Sequence, residues 1–361
     1  MPAPLSAIDA ISPAFDRTKR QLFQPFRLGF WLRMALVALA TGEFYSSSGW
    51  SGLHFTLPSS RRGFGYGFVA LVRPHWEYLK RYLPWIVLVV LLLFAGMVLW
   101  IYVSSVFRFV LFDSVLTDRC NIKEEWRQWR SQGIRFFLWR ICLGLGVAVS
   151  LGILGGACVL VLVTTGAFRN PRQHIVLLVL GGLAVFLVLA CLIVLAALIA
   201  LFARDFVVPV MALENVGVIE GWRRVIGMLA AEKKAYAGYV LMKIVLVVGT
   251  TIIFGILTLI AVLLLFIPLS IAGAGTYFFA KAAGLLWSFP AIALGVALAA
   301  VAVAVILYVI AFISAPAMMF FQAYVIHFLG ARYPALGERI SAPPSTPAPP
   351  SFPDASVSPA G

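Results

Sequence analysis

Long apolar runs separated by short basic or polar segments set the pattern of this chain. They lie near residues 28–46, 83–107, 136–166, 174–203, 237–268 and 291–322. A bilayer hydrocarbon core of about 30 Å needs roughly 20 apolar residues in a helix, and these runs supply them repeatedly. Backbone groups in lipid are satisfied only within helices or closed barrels. The runs show no in-out alternation and far exceed the ~10 residues of a barrel strand. The pattern therefore predicts an all-α, polytopic membrane protein with about six transmembrane helices over residues 1–340. A Pro-rich tail, 341–361, carries Pro343, Pro344, Pro347, Pro349, Pro350, Pro353 and Pro359 with few large apolar residues, and is expected to be disordered.

The first run is the weakest. It is short, contains Arg33 and ends in Ala38-Leu39-Ala40, so a signal peptide with a cleavage site is a rival reading. The polar segment before it is longer than a usual charged n-region, which favours a span.

Composition agrees with the pattern: 62% of residues are hydrophobic and 12% charged, against about 25% charged in a soluble domain. The net charge of +14 would suggest nucleic acid in a soluble protein. Here the cations flank apolar runs, as anchors to anionic lipid head groups do, so lipids on the cytoplasmic face are the expected partners and nucleic acid is not. With both termini inside, 20 of the 28 Lys and Arg residues fall on the cytoplasmic side. The other side holds Arg61, Arg62, Arg73, Lys80, Arg81, Arg169, Arg172 and Lys281. Both termini in the cytoplasm require an even number of spans.

The chain also resembles itself at an offset of 96 residues. Val115-Leu116-Thr117-Asp118 followed by Glu124-Glu125-Trp126-Arg127 aligns with Met211-Ala212-Leu213-Glu214 followed by Glu220-Gly221-Trp222-Arg223, and Asn121 falls on Gly217. Asn and Gly readily take the left-handed conformation that ends a helix, so both positions are expected to close a span and turn. A short surface helix then starts afresh. A third similarity joins Trp31-Leu32-Arg33-Met34, Leu138-Trp139-Arg140-Ile141 and Leu241-Met242-Lys243-Ile244, with Phe15 to Arg20 as the first surface helix. The expected architecture is three units, each a surface helix followed by a hairpin of two spans.

Arg33, Arg140 and Lys243 have two readings. They snorkel from helix ends to the head groups, or they pair with Asp113, Asp118, Asp205 and Glu214 in a ring of charges on the cytoplasmic side. Trp126 and Trp222 read as interface anchors. The segment 47–82 carries His54, His75 and Glu77, with Glu43 nearby, but no pair has metal-ligand spacing on a common helical face. Cys120, Cys142, Cys158 and Cys191 form no C-x-x-C pair, so neither a disulfide framework nor a zinc site is implied. Residues 269–290 read as a Gly-rich, then aromatic, connection. No phosphate loop, nucleophile elbow or dinucleotide fingerprint occurs, and no cofactor is expected.

The stretch Phe206 to Arg224, FVVPVMALENVGVIEGWRR, with the opening Phe15 to Gly29, resembles uncharacterised bacterial six-span proteins related to the membrane domain of glycerophosphoryl diester phosphodiesterases. That resemblance implies a bacterial inner membrane. The phosphodiesterase chemistry belongs to a separate soluble domain, so no catalytic residue carries over. Two functions compete: a non-catalytic module that organises lipids or partner proteins, and a permease or lipid translocator. The first is favoured because charge clusters at one interface. The second draws on the repeats, on Ser150, Thr250, Thr251, Thr258 and Ser314 within spans, and on Pro290 and Pro316 as breaks.

Overall fold

A computed structural model describes residues 5–24, 27–42, 76–166, 173–284 and 288–341. Among these residues the regular structure is all helical, without strands. In chain order the helices are α1 (Ile11–Phe23), α2 (Leu28–Thr41), α3 (Trp76–Thr117), α4 (Ile122–Thr164) and α5 (Ile175–Phe202). A π-helical turn (Ala203–Val207) joins α5 to α6 (Val208–Glu214). Then follow α7 (Val218–Ala231), α8 (Lys233–Ala282), α9 (Phe289–Gly330) and α10 (Pro334–Ser341). The expected metal candidates and the Pro-rich tail beyond Ser341 lie outside the described residues, apart from the backbone at Glu77.

Five helices are long and apolar enough to cross a membrane, and α2 is a shorter apolar helix. At 1.5 Å per residue, the 14 residues of α2 extend about 21 Å, less than a hydrocarbon core. The five long helices coincide with the last five of the six expected spans, and α3, α4, α8 and α9 run well past them. Helix α8, for example, holds 50 residues and continues to Ala282, where the sequence pattern predicted a connection from 269. Helix α4 holds 43 residues. The surface helix expected to follow Asn121 is therefore the first part of one continuous helix, because nothing between Ile122 and Thr164 interrupts its ladder. After Gly217 a separate helix does form, α7, which buries Val218, Gly221 and Val225 at helical spacing.

The core sits at one end of the long helices. It gathers the C-terminal ends of α3, α6 and α9, the N-terminal ends of α4 and α8, and α1, α2 and α7. Toward the opposite end, the most apolar stretches of α3, α4 and α5 bury none of their residues within the chain. Helix α1 joins the core by Ala14, Thr18 and Leu22, spaced four apart on one face. Glycine permits a close approach of α4 to α3: a Cβ on Gly133 of α4 would come 2.5 Å from Val106 Cγ2 and 2.9 Å from Val106 Cα on α3.

Gly133→Ala should accordingly destabilise the protein by about 1–3 kcal/mol through overpacking against backbone that has no room to withdraw. Gly152→Ala, which meets nothing within 4 Å, should be near neutral. Thermal unfolding of both variants in detergent checks the contrast, and equal midpoints would contradict it.

Candidate functional site

Pro209 shapes the most charged part of the core. Proline has no N–H, and its ring crowds the carbonyl four residues back, here that of Asp205. The helix widens into the π turn Ala203–Val207 over this interval. Such turns gather at functional sites.

Asp205 is 4% exposed and Lys243 5%. Lys243 Nζ donates to Asp205 Oδ2, to which the Tyr239 hydroxyl also donates at 2.9 Å. Arg204 Nε reaches the other carboxylate oxygen at 3.3 Å. Tyr239 and Lys243 are four apart on α8, so one helical face presents both donors to the carboxylate. Aromatic rings close the surroundings. Tyr239 stacks on Tyr324 with centroids 5.2 Å apart, and Phe206 and Phe328 lie 5.0 and 4.7 Å from the same ring. Both carboxylate oxygens accept from donors, so this cluster acts as a buried lock between the α5–α6 helix and α8.

The other expected ring members go elsewhere. Arg140 donates to the Ser104 and Ser105 hydroxyls, each at 3.2 Å, and Ser104 donates onward to the Thr41 carbonyl at 2.9 Å. This chain of bonds ties α4, α3 and α2 together. Ser104 lies about 20 Å along α3 from Asp118, beyond the reach of an arginine, so the expected Arg140–Asp118 pair does not form. Arg33 instead donates to the Cys120 carbonyl at 3.0 Å. Asp113 accepts from Trp129 Nε1 at 3.3 Å. Glu214 pairs with Arg224 of α7. The charges sit at several depths, and a single ring is replaced by separate local anchors.

The helix-end turns also differ from expectation. The left-handed residues are Asp118, with φ of 58°, and Asn215, with φ of 55°. Asn121 and Gly217 have negative φ and are the N-cap residues of the helices that follow. Each left-handed residue is held by a glutamine: Gln21 of α1 donates to Asp118, and Gln132 of α4 donates to Asn215. Gln21 also donates to the Val115 carbonyl at 2.9 Å, and Arg17 donates to the Val115 and Leu116 carbonyls at 3.0 Å. These cations and amides satisfy the open carbonyls at the end of α3. Burial lowers the Arg17 pKa, and the nearby Asp118 charge opposes that shift.

Trp126 packs against Tyr102 and Phe107, at 5.9 and 5.3 Å, and Trp222 lies 5.9 Å from Trp139. Sequence reasoning gave no role to Trp129, and Glu125 entered it only within the 96-residue repeat. Glu125 accepts from the Ser114 hydroxyl at 2.9 Å and from the Asn121 backbone N–H at 2.8 Å, which fastens the start of α4 to the end of α3. The usual capping-box position three residues after Asn121 is Glu124, so that sequence signal points one residue short of Glu125. The Cys120 thiol, buried in the same turn, is pushed up to about 11 by desolvation. Among the described residues, no group of three His, Cys, Asp or Glu side chains is placed to hold a metal ion.

Residues 5–339 match a family of unknown function, DUF7544. The chain belongs to that family. The DUF7544 match spans the packed end and all the long helices together, so the buried lock and the helix-end turns lie within one family unit. No curated protein and no solved structure matches the chain.

Removing one partner of a buried ion pair leaves an uncompensated charge, so Lys243→Met and Asp205→Leu should each cost about 3–5 kcal/mol. The double variant should cost clearly less than the sum of the two. A double-mutant cycle on unfolding in detergent measures the coupling, and strict additivity would remove the lock.

Proposed function

We propose that this DUF7544 protein is a non-catalytic integral protein of a bacterial inner membrane that organises lipids or partner proteins at the cytoplasmic leaflet. The observation that carries this reading is the contrast between the two ends of the long helices. One end is packed, aromatic and charged, whereas the other presents apolar side chains outward over the length of a hydrocarbon core. Such a shape suits a cytoplasm-facing platform on lipid-embedded legs. The kinship with the membrane domain of glycerophosphoryl diester phosphodiesterases belongs to this reading and rests on the Phe206–Arg224 segment.

The three-unit organisation belongs to it as well. The order α1, α2, α3, then α4, α5–α6, then α7, α8, α9 supports this reading, and the fusion of the second surface segment to its span departs from it. The glutamine grip on a left-handed turn residue, seen for Gln21 with Asp118 and Gln132 with Asn215, supports a relation between consecutive units.

A lipid or solute translocator is the second reading, favoured by the buried Asp205–Lys243 pair at a π turn. Reconstitution into vesicles separates the two. A translocator moves labelled lipid or solute at a rate that Asp205→Asn abolishes, while a module leaves the vesicle barrier unchanged.

Orientation has its own test. In a variant with native cysteines replaced, Arg127→Cys should react with an impermeant maleimide only after cells are opened, and Lys281→Cys should react in intact cells. Labelling of position 127 from outside would reverse the topology.

A further inference from the structure

An open cavity of about 750 Å³ lies where the first turn of α2 meets the turn between α3 and α4. Four cationic side chains line it, Arg27, Arg33, Arg119 and Lys123, against one carboxylate, Asp118. That carboxylate is already engaged by Gln21 and by Arg17, whose Nη2 lies 3.8 Å from it. The cavity thus keeps a strong excess of positive charge, and like charges gathered around one space are relieved by an anion between them. Helices α2 and α4 both begin at this place, with Arg27 and Asn121 as their N-cap residues. The positive ends of two helix dipoles therefore add to the four side chains.

Size and surroundings narrow the ligand. The volume exceeds what a bare phosphate fills and admits a phosphate with a polar substituent. From the same turn, Leu28, Leu32 and Leu36 run up α2 four residues apart, exposed by 52%, 36% and 45%. They form an apolar strip rising from the rim of a basic cavity, the arrangement that an acyl chain and its headgroup require together. We propose that this cavity binds the phosphate of an anionic phospholipid headgroup, with the acyl chains lying along the exposed face of α2. The site deepens the lipid-organising reading and rests on it.

Full-length protein in neutral detergent is titrated with dioctanoyl phosphatidylglycerol, dioctanoyl phosphatidylcholine and inorganic phosphate, and the unfolding midpoint is followed. Phosphatidylglycerol should raise the midpoint and phosphatidylcholine should not. Arg119→Gln with Lys123→Gln should weaken the phosphatidylglycerol response by about thirtyfold, from roughly fivefold per basic side chain at an anionic lipid. Arg127→Gln with Arg130→Gln, two exposed cations outside the cavity, should leave it unchanged. If the double variant fails to fold, Lys123→Gln alone should show about a fivefold loss. Equal weakening by both pairs, or none by the cavity pair, overturns the site. Displacement of phosphatidylglycerol by low inorganic phosphate would overturn the lipid and make a soluble phosphate the occupant. Detergent titration is blind to membrane side. A specific cavity response with position 127 labelled from outside keeps the site and removes the cytoplasmic reading, and the opposite pair of results removes the site alone.

Discussion

Lipid tails are as apolar as leucine, so apolar helices in a bilayer have little reason to leave lipid for one another. Their association must come from close packing and from polar groups that find partners. In this protein both are concentrated at one end. Gly133 lets α4 approach α3 until side chain meets backbone, and Arg140, Ser104 and the Thr41 carbonyl thread α4, α3 and α2 on one line of hydrogen bonds. Over their most apolar stretches α3, α4 and α5 bury no residue within the chain. The chain is held together where polar groups find partners and helices approach closely, whereas glycines of the outer lengths such as Gly144, Gly152 and Gly181 meet no neighbour within 4 Å.

The π turn is the point at which that arrangement is most constrained. An α-helix advances about 100° per residue, so one additional residue in a turn rotates everything after it relative to everything before. With Pro209 unable to donate to the Asp205 carbonyl, the wider turn is the conformation in which the helix continues without a sharp kink. The rotation lets Asp205 meet Tyr239 and Lys243 of α8 on one side, while α7 packs on the same turn: a Cβ on Gly221 would lie 3.0 Å from Val207 Cγ1. A straight helix would not meet both neighbours with those faces.

Much of this was legible in the sequence, and the parts that were not share a cause. Hydropathy is a local property, so the apolar runs marked the long helices. Their ends were not marked: α4 begins in amphipathic residues that join a core only the fold creates, whereas α8 continues through 269–282 as largely exposed helix. Arg33, Arg140 and Lys243 each find hydrogen-bond partners at the packed end: a backbone carbonyl for Arg33, hydroxyls for Arg140 and the carboxylate of Asp205 for Lys243. Which partner a long side chain finds depends on its depth along neighbouring helices, information that spacing within one helix does not hold. The turn at 118–121 shows the same limit at small scale. Asn and Gly are the usual left-handed residues, yet Asp118 takes that conformation because Gln21 holds its side chain, and Asn121 serves instead as an N-cap fastened by Glu125. Only Pro209 announced the π turn, and a proline alone also fits a kink.

The two charged loci of the packed end differ in a way that bears on what each does. Around Asp205 every charge has a partner and the aromatic rings shut out the surroundings, so the energy of that pair is committed to holding α8 against the α5–α6 helix. Around Arg27, Arg33, Arg119 and Lys123 the cations outnumber the carboxylates and open onto a cavity. A balanced, enclosed ion pair fixes geometry, while an unbalanced, open group of charges leaves capacity for an exchanging ligand. Since Arg33 also holds the Cys120 carbonyl, whatever occupies the cavity touches the turn that joins α3 to α4, and through Asp118 and Gln21 it touches α1. The open locus therefore borders the contacts that hold α1 to the end of α3, and the closed one holds α8 against the α5–α6 helix.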